Sequence, residues 1–184
     1  MSITPDEARV ALAKADVIHT EQALMTALDR MAAEITARLE HSHPLVLCVM
    51  VGGLIPAGHL LTRLHFPLQL DYIHATRYRG QTSGGELQWR VRPHCSLTGR
   101  IVLLIDDILD EGHTLAAIVK DCYAQGAKQV LTAVALVKEH GRAHAVQADF
   151  SGLAVEDRYV FGFGMDYKEF WRTLPAIYAV NENA

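Results

Sequence analysis

The chain has 184 residues, half of them hydrophobic and 21% charged, with a formal net charge of −4. This is the make-up of one ordinary globular domain, long enough to bury its own core. The acidic balance and the lack of a basic block argue against a nucleic-acid binder, and no apolar run approaches the ~20 residues of a membrane span.

Cys48, Cys95 and Cys122 are odd in number and widely spaced, which suggests a reducing compartment and no disulfide framework. The N-terminus shows no charged-then-apolar signal pattern. The expected location is therefore cytoplasmic.

Thr4-Pro5-Asp6-Glu7 reads as a capping box with proline at the first helical position. It predicts a short helix with Ala8, Leu12 and Ala15 on one face. A second helix is predicted over residues 21–40, because Leu24, Leu28, Met31, Ile35 and Leu39 recur at three- and four-residue steps. His41-Ser42-His43-Pro44 ends it. Residues 45–51 are a buried strand, Gly52-Gly53 a turn, and a helix follows to about Leu64. Residues 68–75 alternate as a second strand. Residues 76–86 hold three glycines, two threonines and a serine, and predict a mobile surface loop. A returning strand is expected over 87–92.

The most telling stretch is Ile101-Val-Leu-Leu-Ile105-Asp106-Asp107-Ile-Leu-Asp110-Glu111-Gly112-His113-Thr114. An apolar run bounded by turn residues is a buried strand of a parallel sheet. Ligands of open α/β sheets bind at the carboxyl ends of such strands. Here three carboxylates and a glycine turn occupy that place, and the turn opens a helix whose first N–H groups can hold an anion. Acids beside an anion site suit a ligand with both hydroxyls and phosphate, with Mg²⁺ between them. The helix spans 115–125 and ends at Gly126. Strands follow over 130–138, 150–155, 159–162 and 177–180. This alternation predicts one open, mostly parallel sheet flanked by helices.

The segment from Ile101 to Thr114 resembles the phosphoribosyl pyrophosphate (PRPP) signature of the purine phosphoribosyltransferases, most closely that of the hypoxanthine-guanine phosphoribosyltransferase family. The resemblance implies that Asp106 and Asp107 touch the ribose hydroxyls and Mg²⁺. It implies that Asp110 lies near the purine N7 as the catalytic acid/base, and that Glu111, Gly112, His113 and Thr114 wrap the 5′-phosphate. The family usually has threonine or serine where Glu111 stands, so Glu111 is expected to point away and serve through its backbone N–H.

Other stretches resemble the same family in the same order, over roughly residues 45–172. Cys48-Val-Met-Val51-Gly52-Gly53 is similar to its pyrophosphate loop, although the family often has a basic residue in place of Val51. Thr76-Arg77-Tyr78 and the glycine-rich residues after them resemble its lid, with Arg77 in place of the usual serine. Lys138 is implied as the donor to the purine 6-oxo group, which only accepts. In Tyr159-Val160-Phe-Gly162-Phe-Gly-Met-Asp166, Tyr159 would stack on the base and the Val160 backbone would read its edge. Asp166 would help hold Mg²⁺, and Arg172 would meet pyrophosphate.

The resemblance implies a phosphoribosyltransferase-type fold: one domain over 1–184, with a core at about 45–140 and a lid at about 76–86. A small hood would be built from about 1–20 and 150–184. It also implies a 6-oxopurine and PRPP as substrates, Mg²⁺ as cofactor, no nucleic-acid or membrane partner, and assembly as a homodimer or homotetramer. Two other readings stay open. One is a nucleotide-binding regulator of the same fold, and the other is a phosphoribosyltransferase for xanthine, adenine or orotate. The Asp-Asp-x-x-Asp spacing also fits isoprenoid synthases, but there it sits on a long helix, not after five aliphatic residues.

Overall fold

The Thr4 hydroxyl accepts from the Glu7 amide and the Glu7 carboxylate takes the Thr4 amide, so both free donors at the start of helix α1 (Pro5–Ala13) are satisfied. The computed structural model describes residues 3–77 and 87–181. The helix stops two residues short of Ala15. The chain then forms a strand, β1 (Asp16–His19), that its local pattern does not predict. Asp16 pairs with Ala179, some 160 residues away, and a local pattern carries no trace of it.

Helix α2 (Glu21–Leu39) is capped by the Thr20 hydroxyl and buries the predicted stripe of Leu24, Leu28, Met31, Ile35 and Leu39. All five residues of β2 (Leu45–Val49) are buried. There follow α3 (Leu54–Leu61), β3 (Gln69–Arg77), β4 (Leu87–Val91), β5 (Ile101–Leu109), α4 (His113–Ala124), β6 (Gln129–Glu139), β7 (Phe150–Glu156), β8 (Val160–Phe161) and β9 (Ile177–Ala179).

Six strands make the main sheet in the order β4-β3-β2-β5-β6-β7. Every neighbouring pair is parallel except β3 with β4 at one edge. Helices α2 and α3 bury their apolar faces in one core layer, with Val46, Leu103, Ile105 and Ala133 of the sheet. The opposite layer joins Leu115, Ile118 and Cys122 of α4 to Leu45, Leu47, Leu104 and Val134. A fully apolar strand such as β2 is stable only when both faces are covered in this way. A second sheet, β1-β9-β8, is antiparallel and joins a segment near the start of the chain to two near its end.

Strand β5 runs four residues beyond its aliphatic stretch. It carries Asp106, Asp107, Ile108 and Leu109 along β6, with Asp106 opposite Val134 and Leu109 opposite Val137. Carboxylates end an apolar pattern, but their amides still continue the ladder. Strand β3 buries Ile73 and Ala75 while Leu70 and Tyr72 stay exposed. Among the described residues no helix is long and apolar enough to cross a membrane, and the three cysteines are free.

Candidate active site

The strand order fixes where a ligand can sit. From β2 the chain steps outward to β3, whereas β5 leads the other way to β6 and β7. The sheet therefore reverses direction between β2 and β5, and the crevice beyond their carboxyl ends is where open α/β sheets bind ligands. The Val51-Gly52-Gly53 turn leaves β2 at that point, and β5 delivers Asp106 and Asp107 beside it.

The turn lies against β5 because it lacks side chains. A β-carbon on Gly53 would come within 2.5 Å of the Ile105 carbonyl oxygen and 2.6 Å of that of Val49. One on Gly52 would lie 2.0 Å from Asp107 Oδ2. The Met50–Val51 peptide is cis, and the Val51 side chain is exposed. With no basic side chain at Val51, the backbone is what this turn offers an anion.

Asp106 and Asp107 are half-buried on β5. Asp106 Oδ1 accepts from the Asp107 amide, and Asp107 Oδ1 accepts from the Ile108 amide. Burial raises both carboxyls above the usual range, and the charge of Asp107 pushes Asp106 up further. The Ile108 amide and the Arg172 charge work in the opposite direction on Asp107. Two such oxygen donors, costly to ionise together, suit a divalent cation or a pair of ribose hydroxyls.

Cys48 lies close by. Burial first, and then the two aspartates, push its thiol up to about 11, which removes it as a nucleophile at neutral pH.

The turn after β5 puts Gly112 at φ +79 as the N-terminal cap of α4, with no side chain capping the helix. A β-carbon there would meet Leu109 Cδ1 at 2.9 Å. The first amides of α4 have no partner within the helix, as an anion site requires. His113 and Thr114 form the first turn of α4. The Glu111 carboxylate lies 3.7 Å from His113 Nε2 and 4.0 Å from an Arg142 nitrogen, so the Arg142 guanidinium offsets its charge beside this turn.

The parallel register brings the ends of β5 and β6 level, so Asp110 and Lys138 meet. Lys138 Nζ is 3.0 Å from Asp110 Oδ2 and 3.9 Å from Asp157 Oδ1. The lysine side chain is only 12% exposed. This makes it a fixed donor in the crevice, unlike the solvated strand-end lysine that is the commoner case.

The segment after β8 closes the crevice. Gly162, Phe163 and Gly164 all have positive φ. A β-carbon on Gly164 would lie 2.2 Å from the Gly52 carbonyl oxygen and 3.3 Å from Asp107 Cβ. Arg172 donates to the Gly164 carbonyl at 2.8 Å and pairs with Asp166 Oδ1 at 2.5 Å. Tyr159 is half-exposed, packs edge-to-face on Tyr167 and donates to the Asp166 carbonyl. Val160 pairs with Ala179 in the small sheet.

Among the described residues no three His, Cys, Asp or Glu side chains are placed to hold a metal ion. Asp166 pairs with Arg172 at one oxygen and accepts from the Glu169 amide at the other. Tyr78, the rest of 78–86 and the side chain of Arg77 lie outside the described residues, so the lid expectation has no structural account.

Sequence reasoning missed three contributors. Gly164 locks the β8 segment onto Gly52, and the Gly-Phe-Gly spacing was its signal. Asp157 and His140 both approach the Lys138–Asp110 pair, and no local pattern marks either of them.

The model of the phosphoribosyl transferase domain matches residues 14–169. The chain is 32% identical over 162 residues to the hypoxanthine-guanine phosphoribosyltransferase of Bacillus subtilis, covering 88% of this chain and 90% of that protein. It is 35% identical over 162 residues to the bifunctional protein TilS/HprT of Listeria innocua, of which it spans about a quarter. A hypoxanthine phosphoribosyltransferase structure from Staphylococcus aureus superposes with a TM-score of 0.88 at 25% identity, covering 95% of this chain and 96% of that one. The chain thus belongs to the phosphoribosyltransferases, within the hypoxanthine-guanine phosphoribosyltransferase family.

Proposed function

We propose that this chain converts hypoxanthine or guanine plus PRPP to IMP or GMP plus pyrophosphate, with Mg²⁺, as a purine-salvage enzyme. The observation that carries this reading is the Lys138–Asp110 pair, 3.0 Å apart, level with the carboxylate pair of β5 and the open N-terminus of α4. A donor-only side chain beside an acceptor-only one matches the 6-oxo and N7–H edge of a 6-oxopurine. Adenine presents a 6-amino donor to the same lysine.

The remaining groups take roles by position. The amides of the α4 turn, Glu111 to Thr114, would hold the 5′-phosphate, and Asp106 and Asp107 the ribose hydroxyls. The Gly52–Gly53 backbone and Arg172 would face pyrophosphate, and Tyr159 with the Val160 backbone would cover the base. Mg²⁺ would supply charge neutralisation for the leaving group, held by no more than one or two carboxylates together with substrate oxygens.

In the reaction, the purine N9 lone pair forms a bond to ribose C1. The C1–O bond to pyrophosphate breaks and its electron pair leaves with pyrophosphate. Positive charge builds on the ribose in the transition state, as in glycosyl transfer. Asp110 would hold or accept the proton at N7 as N9 attacks C1.

A spectrophotometric screen of hypoxanthine, guanine, xanthine and adenine with PRPP and Mg²⁺ tests the reading. Turnover of hypoxanthine or guanine well above adenine is expected, and no turnover of either 6-oxopurine would sink it. Assembly as a homodimer or homotetramer is part of the proposal. The exposed Leu70 and Tyr72 of β3 support it, and sedimentation would check it.

A further inference from the structure

His140 follows β6 directly, and its side chain is fully buried. Among the described residues its Nε2 is the one buried side-chain nitrogen or oxygen without a hydrogen-bond partner. Its tautomer follows from its other nitrogen, because Nδ1 accepts the Arg142 amide at 3.2 Å. The neutral ring therefore carries its proton on Nε2. That Nε2–H faces Asp110 Oδ1 across 3.7 Å, while Lys138 holds Oδ2 at 3.0 Å. The ring rests on His144, with centroids 4.8 Å apart. His144 is itself anchored by its Nε2, which donates to the Lys138 carbonyl at 3.0 Å.

We propose that His140 is a positioning residue for Asp110, whose Oδ1 takes up the His140 Nε2–H when a purine base enters the site. The proposal rests on the 6-oxopurine reading above. Without a base, Lys138 and Asp110 satisfy each other. A 6-oxopurine asks Lys138 to donate to its oxygen and asks Asp110 to accept from N7–H. The carboxylate then shares its strongest partner at the moment when its orientation decides the chemistry.

A buried donor without an acceptor is costly and rare in native folds. This one is aimed at the oxygen that Lys138 leaves free. Closing the gap to a normal ~2.9 Å needs a shift below ~1 Å, and catalytic hydrogen bonds commonly tighten this way on substrate binding. The other charged groups here are accounted for. Asp157 lies near Lys138 and Arg142, and Arg142 also faces Glu111. Neither Asp157 nor Arg142 has an ion pair with Asp110. The histidine supplies a neutral donor that fixes the carboxylate rotamer and favours its ionised form.

The test compares wild type with His140→Leu and His140→Gln. The glutamine amide nitrogen can stand near the place of Nε2. In His140→Leu, kcat for hypoxanthine should fall about 10- to 100-fold, the range typical of outer-shell partners. The KM for PRPP should be unchanged. The acid limb of the kcat–pH profile should move to higher pH, because Asp110 loses a donor that favours its ionised form. His140→Gln should recover most of kcat and return the limb. A wild-type kcat and profile in His140→Leu overturns the proposal. So does a fall in kcat with an unmoved limb and no recovery in His140→Gln, which is the signature of packing alone.

A readout independent of turnover separates this idea from the purine reading. Nitrogen NMR of ¹⁵N-histidine protein, assigned through His140→Gln, should show the Nε2–H tautomer at His140. Its resonance should move in Asp110→Asn. An Nδ1–H tautomer, or indifference to Asp110→Asn, removes the contact even if turnover is normal. An inactive wild type with the expected NMR would count against the substrate reading and leave the Asp110–His140 relationship standing.

Discussion

The Asp107 carboxylate occupies the space that a side chain on Gly52 would need, with Oδ2 only 2.0 Å from where a β-carbon would stand. The Val51-Gly52-Gly53 turn and the Asp107 carboxylate are therefore built as one close contact. Gly52→Ala must push one of them aside. A displacement of ~1 Å at a reacting centre can cost about 10²-fold in rate. We expect kcat/KM for PRPP to fall by about that factor, with the KM for the purine nearly unchanged. Steady-state kinetics with each substrate varied in turn would check this, and an unimpaired variant would mean that the contact is incidental.

Asp110→Asn keeps the shape and the Lys138 contact but removes the proton acceptor. Turnover is expected to drop by about 10²–10⁴, the range for a positioned acid or base. PRPP affinity, followed by calorimetry, should persist because Asp106 and Asp107 are untouched. Wild-type turnover would transfer the proton-handling role elsewhere.

Lys138→Ala should erode the preference for hypoxanthine over adenine. A site built to bond a substrate group can reject an analogue lacking it by ~10⁴–10⁵. The ratio of the two kcat/KM values should fall towards one. The mechanism fails if the ratio is the same in both proteins.

Asp106→Asn should stabilise the substrate-free protein at neutral pH while abolishing PRPP binding. The sign follows from the raised folded-state value. An acid that holds its proton more tightly when folded helps stability below its unfolded value of ~3.9. It loses that contribution as pH rises through the folded value. Asparagine, which keeps the acceptor for the Asp107 amide, avoids the loss. The variant should thus melt higher than wild type at pH 7–8 in chelator, with the gap narrowing towards pH 4. Each kcal/mol is worth ~2–4 °C at this chain length. A lower melting temperature at pH 7.5 would contradict the burial account.

Much of this was legible in the residues, and the exceptions share a cause. The α2 stripe, the buried β2 and the glycine turn before α4 are local signals, and the fold keeps each of them. Asp110 and Lys138 could be named singly, but their 3.0 Å contact depends on the register of β5 on β6. Strand β1 was invisible because Asp16 pairs with Ala179. Gly164 and His140 matter through what they touch across the molecule. Asp166 pairs with Arg172, a contact that no local pattern marks.

Strand β9 is the middle strand of the small sheet, and it lies almost at the end of the described chain. Among the described residues neither β1 nor β8 has another partner in that sheet. Arg172, which donates to the Gly164 carbonyl beside the Gly52 turn, comes only seven residues before Ala179, which pairs with Asp16 and Val160. During synthesis the main sheet can assemble once β7 has left the ribosome, since domains fold as their elements emerge. The crevice closes only once Arg172 and β9 have followed. A polypeptide truncated after β8 would contain all six strands of the main sheet and every acid of the β5 turn, yet lack the arginine and the central strand of the small sheet.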